Sequence, residues 1–308
     1  MGTLIGTPPN GIAVGVMNAA LVNDPSYHRI TFLDWMKFGV PYVILFLPIA
    51  WFVLLKVFPP EVSAFEGGKR RLLHELHSLG PMSSGEKGSI AVFLLAVVLW
   101  LVMPFREQLL PDVIVENIRW LDEYSIGLLA GLLLFVIPVN IKERKFLLHW
   151  RDTRFVEWGV LVIVGGGIAL SDGMFKTGFA SWLATAFVSL FGSPSTIVMM
   201  LAIVFFIDFL TEVATNSAVI SMMAPVVISI ATSTGENPVA LTIAAALACS
   251  MAFMLPVGTP PNALVYGTGY IRLKDMMKAG FILDILGWLF TVGILIIFGW
   301  LVFGVFQL

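Results

Sequence analysis

The sequence predicts an all-α polytopic membrane protein with discontinuous helices and a re-entrant hairpin. Three observations carry that prediction: a strongly apolar composition, apolar runs that recur along the whole chain, and a Gly-Thr-Pro-Pro-Asn break that occurs twice. Of 308 residues, 58% are hydrophobic and 12% charged. A soluble domain carries roughly 25% charged residues to cover its surface. This chain has too few, so lipid is the solvent for most of it. The formal net charge of -2 is uninformative about partners, and with no basic stripe no nucleic-acid partner is expected. A single cysteine, Cys249, excludes an internal disulfide. The opening Met-Gly-Thr-Leu-Ile-Gly-Thr-Pro-Pro-Asn has neither a basic region nor an apolar core, so no signal peptide is expected there.

Hydropathy then orders the elements. Residues 10–23 read as a short helix and 35–58 as a full span. Residues 59–87 are polar, with Lys69, Arg70 and Arg71 leading an amphipathic stretch expected at the membrane interface. Residues 89–105 and 125–139 read as spans, 141–154 as a basic loop, 156–170 as a further span, and 171–191 as a loop plus a horizontal helix. Two apolar pieces, 196–207 and 218–230, flank a polar knot at Thr211–Ser217. Each is shorter than the ~20 residues of a straight span, which predicts a hairpin dipping to the membrane middle. Segments 238–255 and 262–270 flank a second break, and 279–306 is the last span. The expected division is 1–23, end of a first repeat with a broken helix; 24–87, span and interfacial linker; 88–191, scaffold helices; 192–271, hairpin and second broken helix; and 272–308, last span.

Loop charge tests this layout. One side receives Lys56, Lys69, Arg70, Arg71, Lys87, Lys142, Arg144, Lys145, Arg151, Arg154, Arg272, Lys274 and Lys278; the other receives Arg29, Lys37, Arg106, Arg119 and Lys176. Thirteen against five is a positive-inside bias. It places the basic loops in the cytoplasm and the C-terminus outside, in a plasma (inner) membrane.

The repeated break is the most specific feature. Leu4–Gly15 reads LIGTPPNGIAVG and Pro256–Gly267 reads PVGTPPNALVYG, with six of twelve positions identical. Pro8, Pro9, Pro260 and Pro261 lack an amide hydrogen and clash with a preceding turn, so they interrupt a helix. Asn10 and Asn262 then fall where an N-cap would start the second half-helix. Broken backbone in a bilayer is tolerated only where it lines a cavity or meets a ligand. A Pro kink alone accounts for one copy, whereas two matched copies point to a binding site at the midplane.

Thr215-Asn216-Ser217 forms the second constellation, at the hairpin tip. Freed carbonyls and side-chain oxygens there can ligate a hard cation, while half-helix N–H groups face an anion. Asn216 and Ser217 can equally cap the second arm, and the two roles are compatible. Asp208 and Glu212, spaced i, i+4 on the first arm, are expected to hold the tip's backbone, and Asp284 is read with the same preference for structure. His74 and His77 belong to a polar loop and read as solvated.

These motifs resemble the divalent-anion:sodium symporter family, carriers of dicarboxylates, tricarboxylates or sulfate. Cys249–Val265, CSMAFMLPVGTPPNALV, fits that family's signature segment, and LTEVATNSA resembles its Ser-Asn-Thr tip with Thr215 and Ser217 exchanged; Gly165-Gly166-Gly167 followed by Ile168-Ala169-Leu170 also resembles it. The resemblance implies an inverted-repeat transporter fold and a homodimer working by an elevator motion. It implies one sodium ion held by Thr211, Ala214, Asn216 and Gly258, mostly through carbonyls, and Gly6 in a second sodium site. Substrate carboxylates would meet Thr215, Asn216, Ser217, Thr259 and Thr7. Sodium is the expected co-transported ion and a small dianion the expected substrate, C4-dicarboxylates first, with sulfate or citrate as alternatives. No Lys or Arg lies near the breaks, so a bound dianion needs sodium, hydroxyls and helix N-termini to offset its charge. The family pattern has two hairpins, while this chain has one, so the N-terminal part of the first repeat is expected to be missing and the fragment is not expected to transport alone. A channel is the nearest rival. A hydrolase is not expected, because neither HExxH nor GxSxG occurs.

Overall fold

In lipid every backbone donor and acceptor must be satisfied internally, so apolar runs of this length have the helix as their solution. A computed structural model describes residues 1–25, 27–60, 68–156, 158–192 and 195–303. In chain order the elements are α1 (Pro8–Ala20), α2 (Phe32–Val57), α3 (Gly68–Ser78), α4 (Ser84–Val102), α5 (Arg106–Leu109), α6 (Asp112–Asn117), α7 (Glu123–Val136), the strands β1 (Pro138–Asn140) and β2 (Lys145–Phe146), α8 (Trp158–Lys176), α9 (Phe179–Phe191), α10 (Thr196–Val213), α11 (Asn216–Thr234), α12 (Pro238–Ala248), α13 (Pro260–Gly267) and α14 (Leu273–Phe303). Among the described residues, five helical stretches are long and apolar enough to cross a membrane: Phe32–Val57, Ser84–Leu109, Thr196–Val213, Asn216–Thr234 and Leu273–Phe298. The all-α membrane class stands, and the protein is an integral membrane protein. The chain forms two compact units: Met1–Ile30 with Asp34–Pro59 and Trp158–Leu308, and Thr31–Leu33 with Pro60–Glu157.

In the first unit α11 is central, packed on α1, α8, α9 and α12, while α10 lies on α12 and α14. Close packing of α8 on α11 runs through Gly167, the last of the glycine triplet. A Cβ there would stand 2.6 Å from the Ser221 Cβ, the close approach that small residues permit between membrane helices. Every residue of α12 from Ala240 to Ala248 is buried. Its eleven residues reach ~16 Å, about half a bilayer. α2 shows the two faces of a lipid-facing helix. Trp35, Phe38, Tyr42 and Phe46, at helical spacing, are buried, whereas Ile44, Leu47, Trp51 and Phe52 are all more than 60% exposed. Exposed apolar side chains of that size suit lipid rather than water.

The hairpin is present, with longer arms than expected. α10 runs to Val213 and α11 from Asn216, leaving only Ala214 and Thr215 between them. Asp208, Thr211 and Glu212 interrupt the apolar run without ending the helix, because all three are buried in the unit's interior. The far ends of the arms meet: Thr196 Oγ1 donates to Glu236 Oε2 and Thr234 Oγ1 to Met199 Sδ, so the arms are antiparallel. A second difference concerns α8, expected to end at Leu170 but continuing to Lys176. There an i, i+4 ion pair of Lys176 with Asp172 at 2.8 Å supports the polar last turn.

In the second unit α4 packs on α7. Trp100 donates its indole N–H to the Glu123 carbonyl at 3.0 Å and stacks on Phe32 at 5.0 Å. α4 opens with a capping box in which the Ser83 hydroxyl accepts the Glu86 N–H and Glu86 accepts the Ser83 N–H. The span expected at 125–139 stops at Val136. β1 follows it to pair antiparallel with β2 in the basic loop expected at 141–154, which leads into a 3-10 turn at Trp150–Phe155. The end of the last expected span, 304–306, lies outside the described residues.

Candidate binding site at the helix breaks

Both Gly-Thr-Pro-Pro-Asn motifs build the same local structure. Thr7 (φ -145, ψ 146) and Thr259 (φ -142, ψ 151) are extended N-cap residues, and each is followed by two prolines in the first helical turn. Proline fits there because the first-turn amides have no intrahelical acceptor. The prolines thus begin α1 and α13. Asn10 and Asn262 are not the caps, contrary to expectation; each stands third in its helix. Each Asn reaches back across the break instead. Asn10 Nδ2 donates to the Thr3 carbonyl at 2.9 Å, and Asn262 Nδ2 to the Leu255 carbonyl at 3.0 Å and the Ala252 carbonyl at 2.7 Å. The carbonyls of Thr3 and Leu255 also accept the amides of Gly6 and Gly258, at 3.0 and 3.2 Å. One carbonyl, seven residues before the Asn, therefore closes each loop.

Glycines let the breaks pack. A Cβ on Gly258 would stand 2.7 Å from the Ala252 Cβ, and one on Gly280 of α14 would stand 2.5 Å from the Met254 backbone. In α2, Gly39 plays the matching part: a Cβ there would meet the Gly2 carbonyl oxygen at 2.7 Å.

The hairpin tip joins the two breaks at Cys249–Ser250, where α12 ends. The Thr211 hydroxyl donates to Asn216 Oδ1 at 2.6 Å and lies 3.2 Å from the Cys249 carbonyl. Next to it, the Thr7 and Ser250 hydroxyls lie 3.3 Å apart. Thr7 of the first break, Thr211 and Asn216 of the tip, and the chain entering the second break are thereby brought together. Thr215 and Ser217 flank Asn216, Thr215 exposed and Ser217 half-buried, and Thr215 is the N-cap of α11 without a side-chain cap bond. The Thr259 hydroxyl is used locally, accepting the Asn262 N–H at 3.3 Å. Gly258 is buried and Gly6 exposed.

Two residues matter here in ways the sequence did not disclose. Ser250 had no assigned role, although it lies inside the signature segment. Glu212 was expected to hold the tip's own backbone; it accepts instead the amides of Met254 and Leu255 in the second break, both at 2.8 Å. Asp284 Oδ1 accepts the Phe253 amide at 3.3 Å. The three amides freed by the break are thus held by carboxylates from α10 and α14. Asp208 is fully buried, and its oxygens have no hydrogen-bond partner among the described residues.

The electrostatics divide by helix end. α1, α11 and α13 start at the breaks and tip and present positive dipole ends. α1 and α13 do so without free first-turn amides, because their first two residues are prolines and the Asn10 and Asn262 amides are taken by Thr7 and Thr259. α10 and α12 finish there, presenting the negative, carbonyl ends of their dipoles. Among the described residues no lysine or arginine is buried. Oxygens alone from Thr211, Asn216 and Cys249 make a donor set suited to a hard cation.

Known proteins share this arrangement of sequence. The sodium-dependent dicarboxylate transporter SdcS of Staphylococcus saprophyticus is 36% identical over 291 residues, 93% of this chain and 53% of that protein. A transporter of the same name from Staphylococcus aureus is 36% identical over 283 residues, 91% of this chain and 52% of its own length. The chain spans about half the length of these curated relatives. The model of the sodium:sulfate symporter transmembrane region matches residues 1–305, so it is to this family of transport proteins that the chain belongs.

Proposed function

We propose that the chain supplies binding elements of a sodium-coupled carrier of small dianions, C4-dicarboxylates foremost. One observation carries the proposal: the tip and both breaks converge at Cys249–Ser250, through Thr211, Asn216 and Thr7. The N-termini of α1 and α11 meet the C-terminal ends of α10 and α12 there, which gives a cation and an anion adjacent sites. Sodium is assigned to Thr211, Ala214, Asn216 and Gly258, with Gly6 in a second site. The dianion is assigned to Thr215, Asn216, Ser217, Thr259 and Thr7. With no buried lysine or arginine among the described residues, sodium supplies the positive charge that lets a dianion leave water.

The same reading sets the protein in the plasma membrane as a homodimer whose binding region moves against a scaffold, with basic loops cytoplasmic and the C-terminus outside. Family resemblance supports the dimer and the motion, and the bias of loop charge supports the orientation.

Radiolabelled sodium binding to the purified protein in nanodiscs tests the proposal. The expected result is saturable binding displaced by unlabelled sodium and not by potassium. Succinate should raise the apparent sodium affinity, since coupled ligands strengthen each other reciprocally. Sodium binding indifferent to succinate, citrate and sulfate alike would contradict the assignment.

A further inference from the structure

α3 is an amphipathic helix whose apolar side is uncovered. Leu72 and Leu76 recur at i and i+4 with Leu73 beside them, and Leu79, in the turn just past Ser78, continues the stripe at i+7 with its amide still bonded to the Glu75 carbonyl. Leu72, Leu73, Leu76 and Leu79 are 68%, 46%, 62% and 79% exposed in that order. His74 falls on the opposite face, between the successive stripe positions Leu72 and Leu76. Charge on this helix is lopsided: Lys69, Arg70 and Arg71 stand against the single acid Glu75. Arg71 pairs with Glu75 at 3.4 Å, an exposed i, i+4 contact, and Arg70 forms no ion pair among the described residues.

The tether says what covers the leucines. Only residues 79–83 separate Ser78 from the start of α4 at Ser84, a chain of at most about 20 Å. α4 begins at its polar capping box and then runs apolar as a membrane span, so its start marks the bilayer surface. α3 is held at that surface with an apolar stripe to bury and an excess of positive charge. Anionic headgroups satisfy both needs, because basic residues near a charged leaflet are drawn to it while apolar side chains enter the acyl boundary.

We infer that α3 is a binding surface for anionic phospholipid, with Leu72, Leu73, Leu76 and Leu79 in the acyl boundary and Arg70 and Arg71 at the phosphates. The juxtaposition of that stripe, those arginines and a short tether to a membrane span carries the inference, which stands apart from the transport reading.

A site-specific label tests it on the 308-residue chain. Cys249 is fully buried, so a cysteine at Leu76→Cys is the reactive one and can carry an environment-sensitive fluorophore. The protein is placed in nanodiscs of phosphatidylcholine, with or without phosphatidylglycerol. The label should be quenched by lipids spin-labelled near the headgroup, with the inserted fraction rising when phosphatidylglycerol is present. Arg70→Gln and Arg71→Gln should each reduce the inserted-to-free ratio about fivefold in the anionic discs, and a label at His74→Cys should stay open to aqueous iodide. Three results would overturn the inference: a Leu76 label open to iodide in both discs, a label that is dry yet blind to spin-labelled lipid because protein covers it, or equal insertion with and without the anionic lipid.

Discussion

The two breaks share a motif, backbone angles and a loop-closing carbonyl, yet their surroundings differ. The first opens into α1, whose Asn10, Ile12, Ala13, Val14, Val16 and Met17 are buried against α11, α12 and α8. The second opens into α13, which has no buried residue. Their loops reverse that order. The first is held by one Asn10 bond and by the Trp35 indole on the Met1 carbonyl, while the second is held by two Asn262 bonds, by Glu212 through two amides and by Asp284. Local geometry therefore follows the motif, and what holds each copy in place follows from its neighbours. The first copy is anchored by its helix and the second by its loop.

That contrast can be broken by substitution. Gly280→Ala should have the largest effect, because its Cβ would meet the Met254 backbone at 2.5 Å, where no flexible side chain can give way. A net loss of about 2 kcal/mol is expected in reversible unfolding in detergent, overpacking of roughly 3 kcal/mol being partly offset by the helical gain of Ala over Gly. Gly39→Ala meets a single backbone atom under 3.0 Å, the Gly2 carbonyl oxygen at 2.7 Å, so its net loss should be smaller, about 1 kcal/mol. Equal losses would show that both loops are held alike.

The asparagine pair follows, with a loss at Asn262 of the same order. Asn262→Ala removes two side-chain bonds and should lower stability by about 2 kcal/mol, at roughly 1 kcal/mol per bond. Asn10→Ala removes one bond and also a buried oxygen without a partner among the described residues. Its loss should be at most about 1 kcal/mol. A larger loss at Asn10 would reverse the comparison. The smallest difference concerns the caps. Thr259→Ala should lose about 1 kcal/mol, because its hydroxyl accepts the Asn262 amide, whereas Thr7→Ala should change stability by only a few tenths. Thermal unfolding that ranked Thr7 above Thr259 would show that the Thr7–Ser250 contact, rather than capping, governs the first break.

Much of this was legible in the sequence. Apolar runs located the spans, the duplicated Gly-Thr-Pro-Pro-Asn located both breaks, and the polar knot at Thr211–Ser217 located the tip. What escaped was non-local. The arms looked too short because Asp208, Thr211 and Glu212 read as interruptions, and the backbone amides that pair with Glu212 lie 42 and 43 residues further on. Asn10 and Asn262 looked like caps because proline is a helix breaker in the interior, whereas at the first turn it is a helix starter. Their reach to a carbonyl seven residues back exists only once the loop has folded. Ser250 carried no local signal at all, since its contact with Thr7 joins residues 243 apart.

The central claim is that one residue, Asn216, serves cation and anion together at the meeting point of tip and breaks. Its amide offers an oxygen that can ligate sodium and an NH2 that can donate to a carboxylate. The direct measurement is paired sodium and succinate binding by calorimetry for Asn216→Ala and Asn216→Asp. Asn216→Ala should weaken succinate at least about tenfold, as expected for a lost hydrogen bond to a charged group at roughly 1.5–3 kcal/mol, and sodium affinity should fall with it. Asn216→Asp keeps a cation ligand but repels the dianion, so sodium binding should persist while succinate binding disappears. Normal succinate binding by both variants would contradict the account and leave Asn216 as no more than the first residue of α11.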